Sequence, residues 1–178
     1  AQLAIRDPAR LGNEAPFVIL APAMSESRAA EPDADSLQPP RVWVLLGKGA
    51  GGNQQMRLLA AELGWPTEEK RLVYNALERV PNLLRGATRL GLDLRRSDPL
   101  LPPWPDLVIG ASRRSAPVAR FIKRRSGARC VHLFHVQGPL APFDLVVTLP
   151  QYRLPQRANV LQLSGALNRV SEEALERA

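Results

Sequence analysis

The chain has one cysteine, Cys130, and two histidines, His132 and His135. A lone thiol excludes an internal disulfide framework and a thiolate zinc set, and it fits a reducing compartment. Long hydrophobic runs are missing too, since none approaches the roughly 20 apolar residues of a membrane helix. Residues 17–23 are apolar but short and interrupted by Pro22, so no secretory signal is read there. Aromatics make up 5% of the chain, and only Phe121 lies among the clustered arginines. Without a stacking platform, specific nucleic-acid binding is not expected. There is no nucleophile elbow G-x-S-x-G, no Walker sequence and no internal repeat with a period of about 20–50 residues.

What is present begins with basic charge. The formal net charge is +7, and residues 82–129 alone hold eleven Lys/Arg against three acids, Asp93, Asp98 and Asp106. Such a segment can attract phosphates or acidic headgroups, although a solvated arginine-rich surface has the same composition. Seventeen prolines cluster outside the periodic stretches. A length of 178 residues implies one domain with a real core.

Residues 1–40 show no sustained period. Their second half, 24–40, is acidic and rich in Pro, Ser and Ala, the composition of a disordered tail. With Met24 as a start, residues 1–23 would be an extension outside the fold. Order is expected over 41–178. The pattern predicts a strand at 42–46, a glycine loop at 47–52 and a helix at 53–64 ended by Gly64 and Pro66. A second strand is expected at 70–74 and a short helix at 81–90 closed by Gly91. Four prolines make 97–105 an extended loop. A strand at 106–110 then leads into a helix at 112–126 with Pro117 in its first turn and Gly127 at its end. Further strands are expected at 130–135, 144–148 and 159–163, and a last helix at 171–178. Alternating strands and helices imply a Rossmann-like, doubly wound α/β domain with a mostly parallel sheet.

The stretch 42–64 organises the rest. Gly47, Gly49 and Gly52 match G-x-G-x-x-G between a strand and a helix, and Gly51 and Asn53 complete the loop. Glycines let a ligand approach the backbone, and the helix start favours an anion. A ribose-binding acid at the end of the second strand is missing, so a dinucleotide is not the expected ligand. The segment Gly110-Ala-Ser-Arg-Arg-Ser is the second constellation. Ser112, Ser115 and backbone N–H groups can meet an anion, with Arg113 and Arg114 adding bidentate contacts; equally, it is a serine cap before two surface arginines. His132 and His135, three apart in a strand, would point to opposite faces, so joint metal ligation is not expected. His135 stands at the carboxyl end before Gln137 and Gly138, where a site residue belongs. A satisfied structural histidine is the alternative. Asp144 opens a strand at the opposite end and reads as structural.

In order, VWVLLGKGAGGNQQMRLLAAELGW, PNLLRGATRLGLD, DLVIGASRRSAPVARFIKR, HVQGP, FDLVVTLPQY and SGALNRVSEEAL resemble the mitochondrial-fission Elm (elongated mitochondria) family over residues 41–178. Its bacterial members carry a glycosyltransferase assignment. The resemblance implies a GT-B type protein, two Rossmann-like halves about a cleft, the first holding the acceptor and the second the nucleotide-sugar. Members usually carry a charge near Lys48 and Gly52 and commonly an acid at Gly138; here Gly52 and Gly138 are bare. The chain resembles the amino-terminal half alone.

The resemblance therefore implies an acceptor-side domain that is inactive by itself. Gly47 to Asn53 and Ser112 to Ser115 would line the cleft, with Gln55 and His135 flanking it and His135 as the one candidate base. A nucleotide-sugar and an acceptor would be its partners once a second half is present, with no cofactor. The alternative is a non-catalytic adaptor that docks a protein or an acidic membrane surface through its basic face. Either reading implies a bacterial cytoplasmic location, peripheral to a membrane in the second case.

Overall fold

Val42–Leu46 is buried at every position (β1), as expected of a strand covered on both faces of a parallel sheet. Alternation divides it. Val42, Val44 and Leu46 face one hydrophobic cluster, and Trp43 and Leu45 face the other. The computed structural model describes residues 38–165. Most of the expected tail and the expected helix at 171–178 lie outside them.

Five further strands join β1: Thr67–Arg71 (β2), Leu107–Ala111 (β3), Arg129–Leu133 (β4), Leu145–Thr148 (β5) and Val160–Gln162 (β6). The order is β2-β1-β3-β4-β5-β6 with every pairing parallel. From β1 the chain passes through Ala50–Leu63 (α1) to β2 on one side. From β3 it passes through Ser112–Ser126 (α3) to β4 on the other. Met56 and Ala60 of α1 pack on the Val42/Val44 face, whereas Ala116, Ala119 and Ile122 of α3 pack on the Trp43/Leu45 face. The sheet is thus doubly wound, and its direction of travel reverses between β1 and β3. Ligand crevices of such sheets form outside the strand ends at that reversal.

Several boundaries differ from expectation. β2 lies three residues earlier than 70–74. It is an edge strand whose exposed residues are polar, a composition that discourages pairing with other chains. Arg57 clamps Glu69 with bonds of 2.6 and 2.9 Å, and Lys70 sets its ammonium 4.3 Å over the Trp43 ring. The apolar Leu72-Val73-Tyr74 follows the ladder, with Tyr74 bridging Leu92. Helix α1 begins at Ala50, three residues before the expected start, so Gly51 and Gly52 belong to its first turn. Only Asn82–Arg85 (α2) is α-helical in the 81–90 segment; Gly86, at φ 57°, ends it. β4 stops at Leu133 because Phe134 turns to φ 67°. Pro117 sits sixth in α3, beyond its first turn. Asp144 is structural as read: it accepts from Cys130 N at 2.7 Å and pairs with Lys123 at 2.5 Å.

Candidate functional site

At the carboxyl end of β1 the chain is held by an asparagine. Gly47 N–H donates to Asn53 Oδ1 at 3.0 Å, and Asn53 Nδ2 returns a bond to Gly47 O at 2.8 Å. Both ends of the carboxamide are thus committed to the loop. A Cβ on Gly47 would stand 3.3 Å from the Tyr74 ring, which leans over the loop. A Cβ on Gly49 or Gly51 would meet nothing within 4 Å, whereas one on Gly52 would lie 3.6 Å from Ala111 Cβ and 3.8 Å from the Phe134 ring. The first turn of α1 has no side-chain cap, so its backbone N–H groups lack an intramolecular side-chain acceptor. Gln55, farther along the helix, lines a small cavity with Leu133, Phe134 and Thr148. That cavity shares Phe134 with the surroundings of Gly52.

The carboxyl end of β3 is more constrained. Ser112 adopts φ 64°, a left-handed conformation that costs a serine about 1–3 kcal/mol unless its surroundings hold it. His132 holds it, with Nε2 2.9 Å from Ser112 O. Because a carbonyl only accepts, Nε2 carries the proton. Complete burial pushes the His132 pKa down to about 4, against the opposing effect of that bond. Gly110 makes room: a Cβ there would lie 3.0 Å from His132 Nδ1 and 3.1 Å from Ser115 Oγ. Ser115 is buried and donates to Ala111 O at 2.7 Å. Its hydroxyl serves the backbone, while Ser112 is exposed at the helix start.

Three arginines meet beside this corner. Arg113 reaches Gln137 Oε1 at 3.3 Å and Glu78 O at 3.2 Å. Arg114 Nε lies 2.9 Å from Glu78 Oε2, an ion contact without hydrogen-bond alignment. Arg85 is buried and donates to Asn82 Oδ1 at 2.6 Å. Burial first, and Arg113 second, hold the Arg85 pKa below its ordinary value. Burial also pushes the Tyr74 phenol up, although Arg114 and Arg85 act in the opposite sense. The Asn82 amide joins the whole, donating to Arg113 O at 2.7 Å and Val136 O at 2.6 Å. Of these three guanidiniums only that of Arg114 meets a carboxylate, that of Glu78, which leaves a local excess of positive charge suited to an anion.

The loop after β4 completes the corner. Gln137, at φ 49°, donates its N–H to His135 Nδ1 at 2.8 Å. With Nδ1 accepting, the neutral His135 ring carries its proton on Nε2 and offers a donor. The ring stands edge-on to Tyr152 and lines a cavity of about 300 Å³ with Gln137, Leu154 and Arg157. A Cβ on Gly138 would lie 3.3 Å from Asn82 Cβ, so this bare position seats the asparagine.

The structure thus gathers Gly47, Ser112, Arg113, Arg114 and Gln137 about one end of the sheet. Asn53 and Ser115 are spent on the scaffold. Sequence reasoning missed Tyr74, Glu78, Asn82 and Arg85. Pro117 was the available signal, since a proline inside a helix leaves the carbonyl four residues earlier in need of a donor. Among the described residues, no group of three or more His, Cys, Asp or Glu could hold a metal ion, and no helix is long and apolar enough to cross a membrane.

The family profile described as Mitochondrial fission ELM1 matches residues 50–178. No curated protein and no solved structure matches the chain.

Proposed function

Since the chain belongs to the mitochondrial fission ELM1 family, we propose that it is the acceptor-side Rossmann-like domain of a GT-B-like glycosyltransferase. The observation that carries this reading is the cationic corner at the sheet reversal. There, open first-turn backbone of α1 and the Arg113–Arg114 pair converge where doubly wound domains bind ligands.

In glycosyl transfer an acceptor oxygen attacks the anomeric carbon and the bond from that carbon to the diphosphate oxygen breaks. The acceptor proton passes to a base. In the proposed roles Arg113 and Arg114 neutralise phosphate charge, worth most where water is excluded. His135 contacts the acceptor hydroxyl. At rest its Nε2–H donates to that oxygen; it acts as base only in the other tautomer, when Gln137 N–H lets go, the ring proton sits on Nδ1 and the freed Nε2 takes up the acceptor proton. The nucleotide-sugar would be held by a second domain, so this chain alone binds but does not turn over.

The test pairs nucleotide-sugar and acceptor titrations with vesicle pull-down, using the chain and its Arg113→Gln/Arg114→Gln variant. Loss of small-ligand binding supports the cleft role. Loss of vesicle or protein-partner binding alone supports the adaptor reading, which the exposed Leu83 and Leu84 beside the basic helix also favour. Turnover of a nucleotide-sugar by the chain alone would overturn the acceptor-side assignment.

A further inference from the structure

Away from the strand ends, a groove of about 340 Å³ runs between α3 and the turn at 141–142. It is lined by Ala87, Arg120, Lys123, Arg124, Ala141 and Pro142. Its walls are small and apolar, and every charge in it is positive. Arg120 and Arg124 are one helical turn apart, a spacing at which like charges repel. Neither forms an ion pair among the described residues. The nearby acid, Asp144, is taken up by Lys123 at 2.5 Å, Arg129 at 3.4 Å and Cys130 N at 2.7 Å. Burial and the neighbouring Arg124 both hold the Arg120 pKa below its ordinary value. A half-buried guanidinium with a like charge beside it and no carboxylate partner is costly unless an anion comes from outside.

We propose that this groove is a phosphate-binding site, in which Arg120 and Arg124 grip the phosphate oxygens of a phosphorylated ligand. Guanidinium geometry favours that class, since each planar fork meets two phosphate oxygens. Lys123, already paired, adds field without direct grip. The site stands on its own residues and does not depend on the glycosyltransferase reading.

The test titrates the full chain with inorganic pyrophosphate at about physiological ionic strength, where loose surface attraction is largely screened. Arginine Nε–Hε resonances report the place of binding. Saturable binding that moves the Arg120 and Arg124 signals is expected, and Arg120→Gln/Arg124→Gln should weaken it at least tenfold. The charge-matched control Arg125→Gln/Arg129→Gln should change it less than threefold. Arg124 is exposed, so Arg124→Gln alone carries the test if the double variant folds poorly. A second arm uses vesicles containing acidic phospholipid. Vesicle binding that needs Arg120 and Arg124, without pyrophosphate binding, would make the phosphate a lipid headgroup. Equal weakening by both double variants, shifts confined to Arg113 and Arg114, or no saturable binding in either arm would overturn the site.

Discussion

The side-chain amide of Asn82 donates at 2.7 Å to Arg113 O, a carbonyl that Pro117, four residues on, leaves without its helical donor. The proline thus creates an acceptor at the start of α3, and a residue 31 positions away fills it. The same amide donates to Val136 O, and its oxygen receives Arg85. One buried carboxamide fixes three segments of the cationic corner.

Replacing it should therefore cost more than one bond. Asn82→Ala leaves Arg113 O, Val136 O and Arg85 Nη2 short of partners inside the protein, and each unsatisfied buried group costs about 1–3 kcal/mol. We expect a loss of roughly 3 kcal/mol in urea unfolding. A loss below about 0.5 kcal/mol, the range of ordinary surface substitutions, would show that water replaces the amide freely.

Glycines of the two strand ends should differ sharply. Gly110→Ala would press a methyl against His132 and Ser115 in the core, and overpacking of this kind costs about 1–3 kcal/mol. Gly49 has φ −85° and nothing near its Cβ position, so Gly49→Ala should stay within about 0.5 kcal/mol. Comparable losses in thermal unfolding would contradict the packing described for Gly110.

His132 predicts an acid-sensitive fold. Its pKa is about 4 when folded against an ordinary value of 6.5. The unfolded chain therefore binds its proton first as pH falls. Stability from this group is complete above about pH 6.5 and is lost progressively down to about pH 4, roughly 3 kcal/mol in all. Urea midpoints measured from pH 7.5 to 4.5 should fall in the wild type and fall less in His132→Gln. Parallel curves would remove His132 as the cause.

Cys130 should be inert until the domain opens. It is fully buried, and burial pushes its thiol up to about 12, so the reactive thiolate is scarce at neutral pH. A thiol reagent at pH 8 should label the native chain only as fast as it unfolds and label it promptly in urea. Prompt native labelling would place Cys130 at the surface.

How far the sequence could be read depended on what each residue answers to. β1, β3 and α3 were legible because their apolar patterns are set by burial on the sheet faces, and the family resemblance was legible from the same segments. β2 was misplaced because an edge strand is chosen by ladder pairing and by the Arg57–Glu69 clamp, while apolarity pointed to Leu72-Val73-Tyr74. The early start of α1 depends on a bond from Asn53 N to Gly49 O that propensity opposes. At the corner, Arg113 and Arg114 stood out through local spacing. Tyr74, Asn82 and Arg85 did not, because their roles come from contacts across long sequence separations.

The reversal between β1 and β3 also bears on how the chain is made. β1 is a central strand, yet its partner β3 lies 65 residues downstream, measured from Val42 to Leu107. A ribosome adding about 5–20 residues per second needs roughly 3–13 s to supply that partner. Throughout that interval five core residues, Val42 to Leu46, have emerged without the neighbour that will cover one of their edges. Among the described strands β1 thus waits longest for a neighbour during synthesis, and its open edge is a segment that a nascent-chain chaperone would have reason to cover.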